Sequence, residues 1–219
     1  MMALEHGIAR LVEEFIAAGR PSSRQQNIDD RRAGYVASAV LAGESETRVQ
    51  VDDITLEGIN FRVVSPQNAA GPLPTVIYYH GGCFVSGGFA THDKQLRQLA
   101  YESGCRVIAV QYRLAPEQTF PAAHDDAEQG AQIIRRHAEP LGVDASQITL
   151  AGDSAGGNLA LVTALRLKAA GAWLPAQLIL IYPMLDATAA SASYVSNGED
   201  YIITRDTLLR SEERRVGRV

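Results

Sequence analysis

Hydrophobic positions along the 219-residue chain change period twice, and each change marks a different kind of element. Leu4, Ile8, Leu11, Val12 and Phe15 recur at helical spacing, so residues 3–18 are predicted as an amphipathic helix, ended by Gly19-Arg20-Pro21. A polar stretch over 20–34 leads into a weaker helical segment near 35–42. From residue 47 the pattern alternates: TRVQVDDITL and INFRVVS read as half-buried strands joined at Glu57-Gly58, a hairpin signal. PTVIYYH and CRVIAVQYR are apolar at nearly every position, as strands covered on both faces are.

Between those two runs THDKQLRQLAYESG reads as a helix, so residues 75–112 form a strand, crossover, strand unit that favours a parallel sheet. The pattern then repeats. Ala123, Ala127, Ala131, Ile134 and Ala138 line one helical face that stops at Pro140; QITLAG is a strand, 155–170 a helix and AQLILIYPM a strand. Alternation of this kind specifies an α/β fold, a mostly parallel sheet with helices on both faces and helices added at the N-terminus. Six strands are counted. YIITRDTLL reads as the opening of another helix cut short, and the last ten residues after it, RSEERRVGRV, have almost no apolar content and no periodicity. They read as a solvated tail, or as foreign sequence in place of the true C-terminus.

Composition narrows the partners. The formal charge of −5, with Lys and Arg scattered, supplies no basic face, which argues against nucleic acid or an anionic membrane. A small molecule or another protein is the expected partner. No apolar run approaches the ~18 residues of a membrane span, and MMALEHGIARLVEE carries acids where a secretion signal would be basic. A cytoplasmic protein is expected, with Cys83 and Cys105 as reduced thiols, and no spacing resembles a metal site.

Two stretches carry chemistry. Gly152-Asp153-Ser154-Ala155-Gly156 sits between a predicted strand and a predicted helix, where a nucleophile elbow must lie. Glycines two residues either side let strand and helix pass closely. Ser154 Oγ would then stand beside a helix N-terminus, whose N–H groups favour developing negative charge. The second stretch, YYHGGCF over 78–84, follows a buried strand, and its consecutive glycines can turn backbone N–H groups inward toward an oxyanion.

With YYHGGCFVSG, THD, QYRLAPEQTFPAA, GDSAGGNLA, LIYPMLD and NGEDYIITRDTLL in this order across about residues 45–209, the chain resembles the hormone-sensitive-lipase-like branch of the α/β-hydrolases, the bacterial family IV esterases. The resemblance implies an α/β-hydrolase fold in which Ser154 is the nucleophile. The oxyanion site would be formed by Gly81, Gly82, Cys83 and Ala155, the last three donating N–H groups and Gly81 shaping the loop. His80 would help order that loop. The implied organisation is an N-terminal cap over 1–46, a core over 47–186, the start of a second cap segment over 187–209, and a tail over 210–219 outside the family pattern. Cys83 departs from the pattern, which has a third glycine there; a buried inert thiol is expected, with reactivity of its own as the alternative.

The serine lacks its partners. In this fold the chain order is Ser, then Asp or Glu, then His, whereas all five histidines (6, 80, 92, 124, 137) precede Ser154. His92-Asp93 and His124-Asp125 look like surface or helix-start pairs. Asp186 and Asp200 resemble strand-end and cap positions, so neither is nominated as the acid. The resemblance also implies eight core strands, so the last two are missing and the chain is expected to be a truncated copy with an apolar edge open to a second chain.

The reading is a carboxylic ester hydrolase for a small ester of short to medium acyl chain, using no cofactor and no metal, and nearly inactive as this polypeptide. Its rival is a non-catalytic small-molecule-binding protein on the same scaffold. A nucleotide binder is disfavoured, because neither G-x-G-x-x-G nor G-x-x-x-x-G-K-[ST] occurs.

Overall fold

The computed structural model describes residues 4–19, 26–199 and 203–217. Its centre is a six-stranded sheet in the order β1-β2-β4-β3-β5-β6, formed by β1 (Val49–Leu56), β2 (Ile59–Pro66), β3 (Leu73–Tyr79), β4 (Arg106–Gln111), β5 (Val143–Asp153) and β6 (Gln177–Ile181). β1 and β2 form an antiparallel hairpin, and Glu57 and Gly58, at φ 49° and 84°, make the two-residue turn. Positive φ at both turn residues matches the twist of the flanking strands. β2 meets β4 antiparallel, while β4-β3-β5-β6 are parallel.

Strand periodicity divides the core into two layers. Val76, Tyr78, Val107 and Ala109 point to one face, where Leu96 and Ala100 of α3 (Phe89–Ser103) cover them. Ile77, Tyr79, Ile108 and Val110 point to the other, against α4 (Ala122–Arg136) and α5 (Ala155–Ala169) through Ala127, Ala131, Ile134, Leu159 and Ala160. Each fully buried Ile or Val in these layers contributes about 1.5–3 kcal/mol of transfer free energy. The α/β reading with helices on both faces is therefore correct.

Three expectations need correction. The stretch 20–34 is not all connector: α1 (His6–Ala17) is followed by α2 (Ile28–Ser38), which begins seven residues before 35 and is capped by Asn27 Oδ1 accepting the Asp30 N–H at 2.8 Å. A 3-10 turn, Ala39–Ala42, ends it. The solvated tail is the second. After the short α6 (Ala192–Ser196), α7 runs Arg205–Arg215, with Ser211 and Arg214 buried. Third, of the two readings of His92 and His124 the helix-start one holds, since they sit in the opening turns of α3 and α4, and the surface one does not, since both are buried. The expected helix end at Arg20-Pro21, and Asp200, lie outside the described residues. No described helix is long and apolar enough to cross a membrane.

Candidate active site

Ser154 occupies the single-residue bend between β5 and α5, at φ 53° and ψ −114°. A non-glycine residue there is strained by about 1–3 kcal/mol and persists only where its surroundings over-determine it. Here they do. The Ser154 N–H donates to Ile181 O at 2.9 Å, while its carbonyl accepts the N–H groups of Met184 at 3.0 Å and Asn158 at 3.2 Å. The flanking glycines are required by contact: a Cβ on Gly156 would overlap the Tyr79 carbonyl, and one on Gly152 would lie 2.5 Å from the same oxygen. The end of β3, and so the loop after it, is pressed directly against the bend.

That loop, residues 80–88, is an unusual run of backbone. Gly82, Cys83, Phe84, Gly87 and Gly88 all have positive φ, at 126°, 56°, 60°, 98° and 152°. The Gly82 carbonyl accepts the N–H groups of Val85 at 3.1 Å and Ser86 at 3.0 Å. No hydrogen bond among the described residues engages the N–H of Gly82 or Cys83. Ala155, the first residue of α5, has no helical partner for its N–H, as at any helix start. Gly81 differs, since its N–H donates to Asp153 Oδ1 at 3.0 Å and an added Cβ would collide with the Asp153 carboxylate. Of the four loop and elbow residues singled out from sequence, Gly81 alone has its amide engaged.

Asp153 was invisible as a functional candidate, because its partners are remote in sequence. Its buried carboxylate accepts from the Tyr78 hydroxyl at 2.9 Å and faces His92 Nε2 at 3.2 Å, besides holding Gly81. Burial alone would raise its pKa, but His92, the Tyr78 hydroxyl and the Gly81 N–H together outweigh burial and hold it below the usual carboxylate range. Burial and the Asp153 charge push the Tyr78 phenol up, so it remains a donor. His80 stacks on Tyr112 with ring centroids 4.2 Å apart, and its Nδ1 contacts Gly81 O at 2.8 Å. Tyr112 OH donates to the His80 carbonyl at 2.7 Å. Burial, with His92 nearby, drives the His80 imidazole down to about 4, so it is neutral near pH 7.

A second bridge crosses the floor of the bend. Asn158 Nδ2 donates to Met184 O at 2.9 Å, and its Oδ1 meets His124 Nε2 at 3.1 Å. Phe84 stacks on the same imidazole at 5.4 Å. A cavity of about 320 Å³ opens here, walled by Phe84, Phe120, His124, Asn158, Met184 and Leu185. A larger one, about 520 Å³, lies beside Arg32, Asn60, Gln111 and Arg113; Ser154 lines neither, and the smaller is tied to the bend only through Asn158 and Met184, whose N–H groups meet the Ser154 carbonyl. Cys83 is buried and free, packed with Val85, Ala115 and Met184. Asp186 is exposed and accepts from Thr188. Among the described residues no group of three or more His, Cys, Asp or Glu could hold a metal ion.

Comparison with known proteins agrees with this architecture. The model of a family with the α/β hydrolase fold matches residues 76–214. An ethyl acetate hydrolase of Pseudomonas putida is 34% identical over 209 residues, which is 91% of this chain and 66% of that protein. The hormone-sensitive lipase of Bos taurus is 36% identical over 133 residues, covering 60% of this chain and 18% of that protein. The chain thus spans less than two thirds of the length of either. The structure of a hyperthermophilic esterase from the archaeon Pyrobaculum calidifontis superposes with a TM-score of 0.89 at 35% identity, covering 98% of this chain and 71% of that one.

Proposed function

Because the chain belongs to the α/β-hydrolase family, in its hormone-sensitive-lipase-like branch, we propose that it is a carboxylic ester hydrolase whose nucleophile is Ser154. Ser154 Oγ attacks the ester carbonyl carbon, and the negative charge that develops on the carbonyl oxygen is accepted by the N–H groups of Gly82, Cys83 and Ala155. The positive end of the α5 dipole adds to this. Collapse expels the alcohol, which leaves with the proton given up by the Ser154 hydroxyl, and water then releases the acid from the acyl-enzyme and returns a proton to Oγ. Gly81 shapes the loop through Asp153. The observation that carries this reading is the strained bend at Ser154, with Gly156 pressed on the Tyr79 carbonyl.

A serine hydroxyl needs a base, and the base needs an acid to orient it. No histidine follows Ser154 in these 219 residues. Of those before it, His80 and His92 are occupied in the loop network, and His124 Nε2 faces Asn158. A polypeptide of this sequence alone is therefore nearly inactive, retaining at best the ~10³–10⁴-fold over water that an oxyanion site gives without its triad. We read residues 1–46 and 187–209 as cap elements around a core of 47–186. The substrate is read as a small ester of short to medium acyl chain, as the family resemblance implies.

The same lack of a base favours the rival, a non-catalytic binder of small molecules on this scaffold. Turnover of a short-chain aryl ester, compared between the chain and its Ser154→Ala variant, separates them. Weak serine-dependent hydrolysis supports the hydrolase; saturable ligand binding with no serine dependence supports the binder.

A further inference from the structure

The loop that carries the Gly82 and Cys83 amides is strained, with two consecutive non-glycine residues, Cys83 and Phe84, at φ 56° and 60°. Residues in that region persist only where their surroundings over-determine them, so something must hold the loop in place. From inside, Asp153 holds Gly81. From outside, the holder is Arg32 of α2. Its Nε donates to Val85 O at 2.9 Å and its Nη2 to Ala115 O at 3.2 Å. Its terminal nitrogens grip Glu117 Oε1 and Oε2 at 2.6 and 2.7 Å. Ala115 in turn donates its N–H to Phe84 O at 2.9 Å.

Two consecutive loop carbonyls, Phe84 and Val85, are therefore engaged by one assembly of Arg32, Ala115 and Glu117. The Gly82 carbonyl is taken by the Val85 and Ser86 N–H groups. Among the described residues the N–H groups of Gly82, Cys83, Phe84 and Gly87 have no hydrogen-bond partner, and the first two are the pair assigned to the oxyanion. A guanidinium suits this work because its planar fork presents several donors in fixed geometry, which an ammonium cannot. One turn further along α2, Tyr35 stands edge-on to His92, with centroids 5.9 Å apart, and His92 faces the carboxylate that holds Gly81. The helix thus reaches the loop near both ends.

We propose that Arg32 is a positioning residue: through Val85, Ala115 and Glu117 it braces the 80–88 loop so that the Gly82 and Cys83 amides stay presented toward Ser154. The N-terminal helix is then part of the frame of the oxyanion site as well as a covering over it. This rests on the proposed function for the role of those amides, but the bracing can be read without any chemistry.

Amide hydrogen exchange on the 219-residue protein tests it. In Arg32→Ala the Val85, Ser86 and Ala115 amides are expected to exchange at least tenfold faster, with β3 and α5 unchanged, and methylguanidinium at low millimolar concentration restores protection. Arg32→Lys keeps the charge without the fork and shows the same local loss, carrying the test should the alanine variant not fold. Glu117→Gln gives a smaller loss at the same amides. Unchanged exchange at these amides, or a rise shared equally by β3 and α5, overturns the proposal. Serine-dependent hydrolysis, measured separately with Ser154→Ala, reads the proposed function itself, so the two can fail independently.

Discussion

Asp153 Oδ1 accepts the Gly81 N–H at 3.0 Å, so the residue that precedes the proposed nucleophile also holds the first glycine of the loop facing it. Elbow and loop are one hydrogen-bonded unit, joined from β5 to the end of β3. The alternative, two independent loops that meet at the substrate, would leave their relative position to side-chain packing alone.

Asp153→Asn therefore lowers stability. The amide keeps the shape and one acceptor but loses the charge that faces His92. Hydrogen bonds to a buried charged group are worth about 1.5–3 kcal/mol, and a loss in that range is expected in urea unfolding. An unchanged midpoint would show that the carboxylate does not hold the unit together.

Ser154→Gly relieves the bend. The strain at φ 53° should be recovered in part, offset by the extra freedom glycine gains in the unfolded chain, for a net gain of about 1 kcal/mol. Ser154→Ala gives no such gain. Thermal unfolding of the two variants side by side checks this, and equal midpoints would contradict a strained elbow.

Acid destabilises the fold in two windows. His80, depressed to about 4 by burial, stays neutral in the fold while an unfolded chain takes up its proton near pH 6.5. Its stabilising contribution is thus full above pH 6.5 and falls as pH drops toward 4, by about 3 kcal/mol at most. His124, also lowered by burial, acts in the same direction. Asp153 works in the lower window: its contribution is present above the ordinary aspartate pKa and is lost as pH falls through its depressed folded value. Urea midpoints from pH 7.5 to 4.5 should fall more steeply in the parent than in His80→Gln. Parallel slopes would remove His80 from the account.

β6 is an edge strand among the described residues, and Leu178, Ile179 and Ile181 on it are 39, 42 and 37% exposed. An apolar edge templates pairing with another chain. Self-association that rises with protein concentration is expected in sedimentation, and Ile179→Lys should reduce it. A parent that stays monomeric at the highest soluble concentration would contradict this.

The sheet was legible because its strands carry their environment in their composition. PTVIYYH and CRVIAVQYR are apolar on both faces and lie at the centre, whereas TRVQVDDITL alternates and lies at the edge. Helix α2 was legible only in its last turn, 35–38. It is held by an Asn27 cap and by Arg32 on Glu117, polar contacts that leave no apolar stripe for periodicity to find. In α7 the opening, in YIITRDTLL, was legible, and the continuation through 210–215 was not, being anchored in part by Arg31 on Ser211 and by Arg214 on Gln26 O. At the site, Ser154 was conspicuous because its glycines sit at fixed offsets. Asp153, His92 and Asn158 were not, since what they do depends on residues brought to them by the fold. An acid next to the serine, at the end of a buried strand, was the available signal.

The most direct measurement is ester turnover in a chain given its missing partners. Joined after Leu209 to the corresponding C-terminal segment of a full-length relative, which supplies Asp and then His, the protein should hydrolyse a short-chain aryl ester. Ser154→Ala in the same background should slow that hydrolysis by about 10³-fold or more. Turnover that is equally fast with alanine at position 154 would contradict the assignment of Ser154 as the nucleophile.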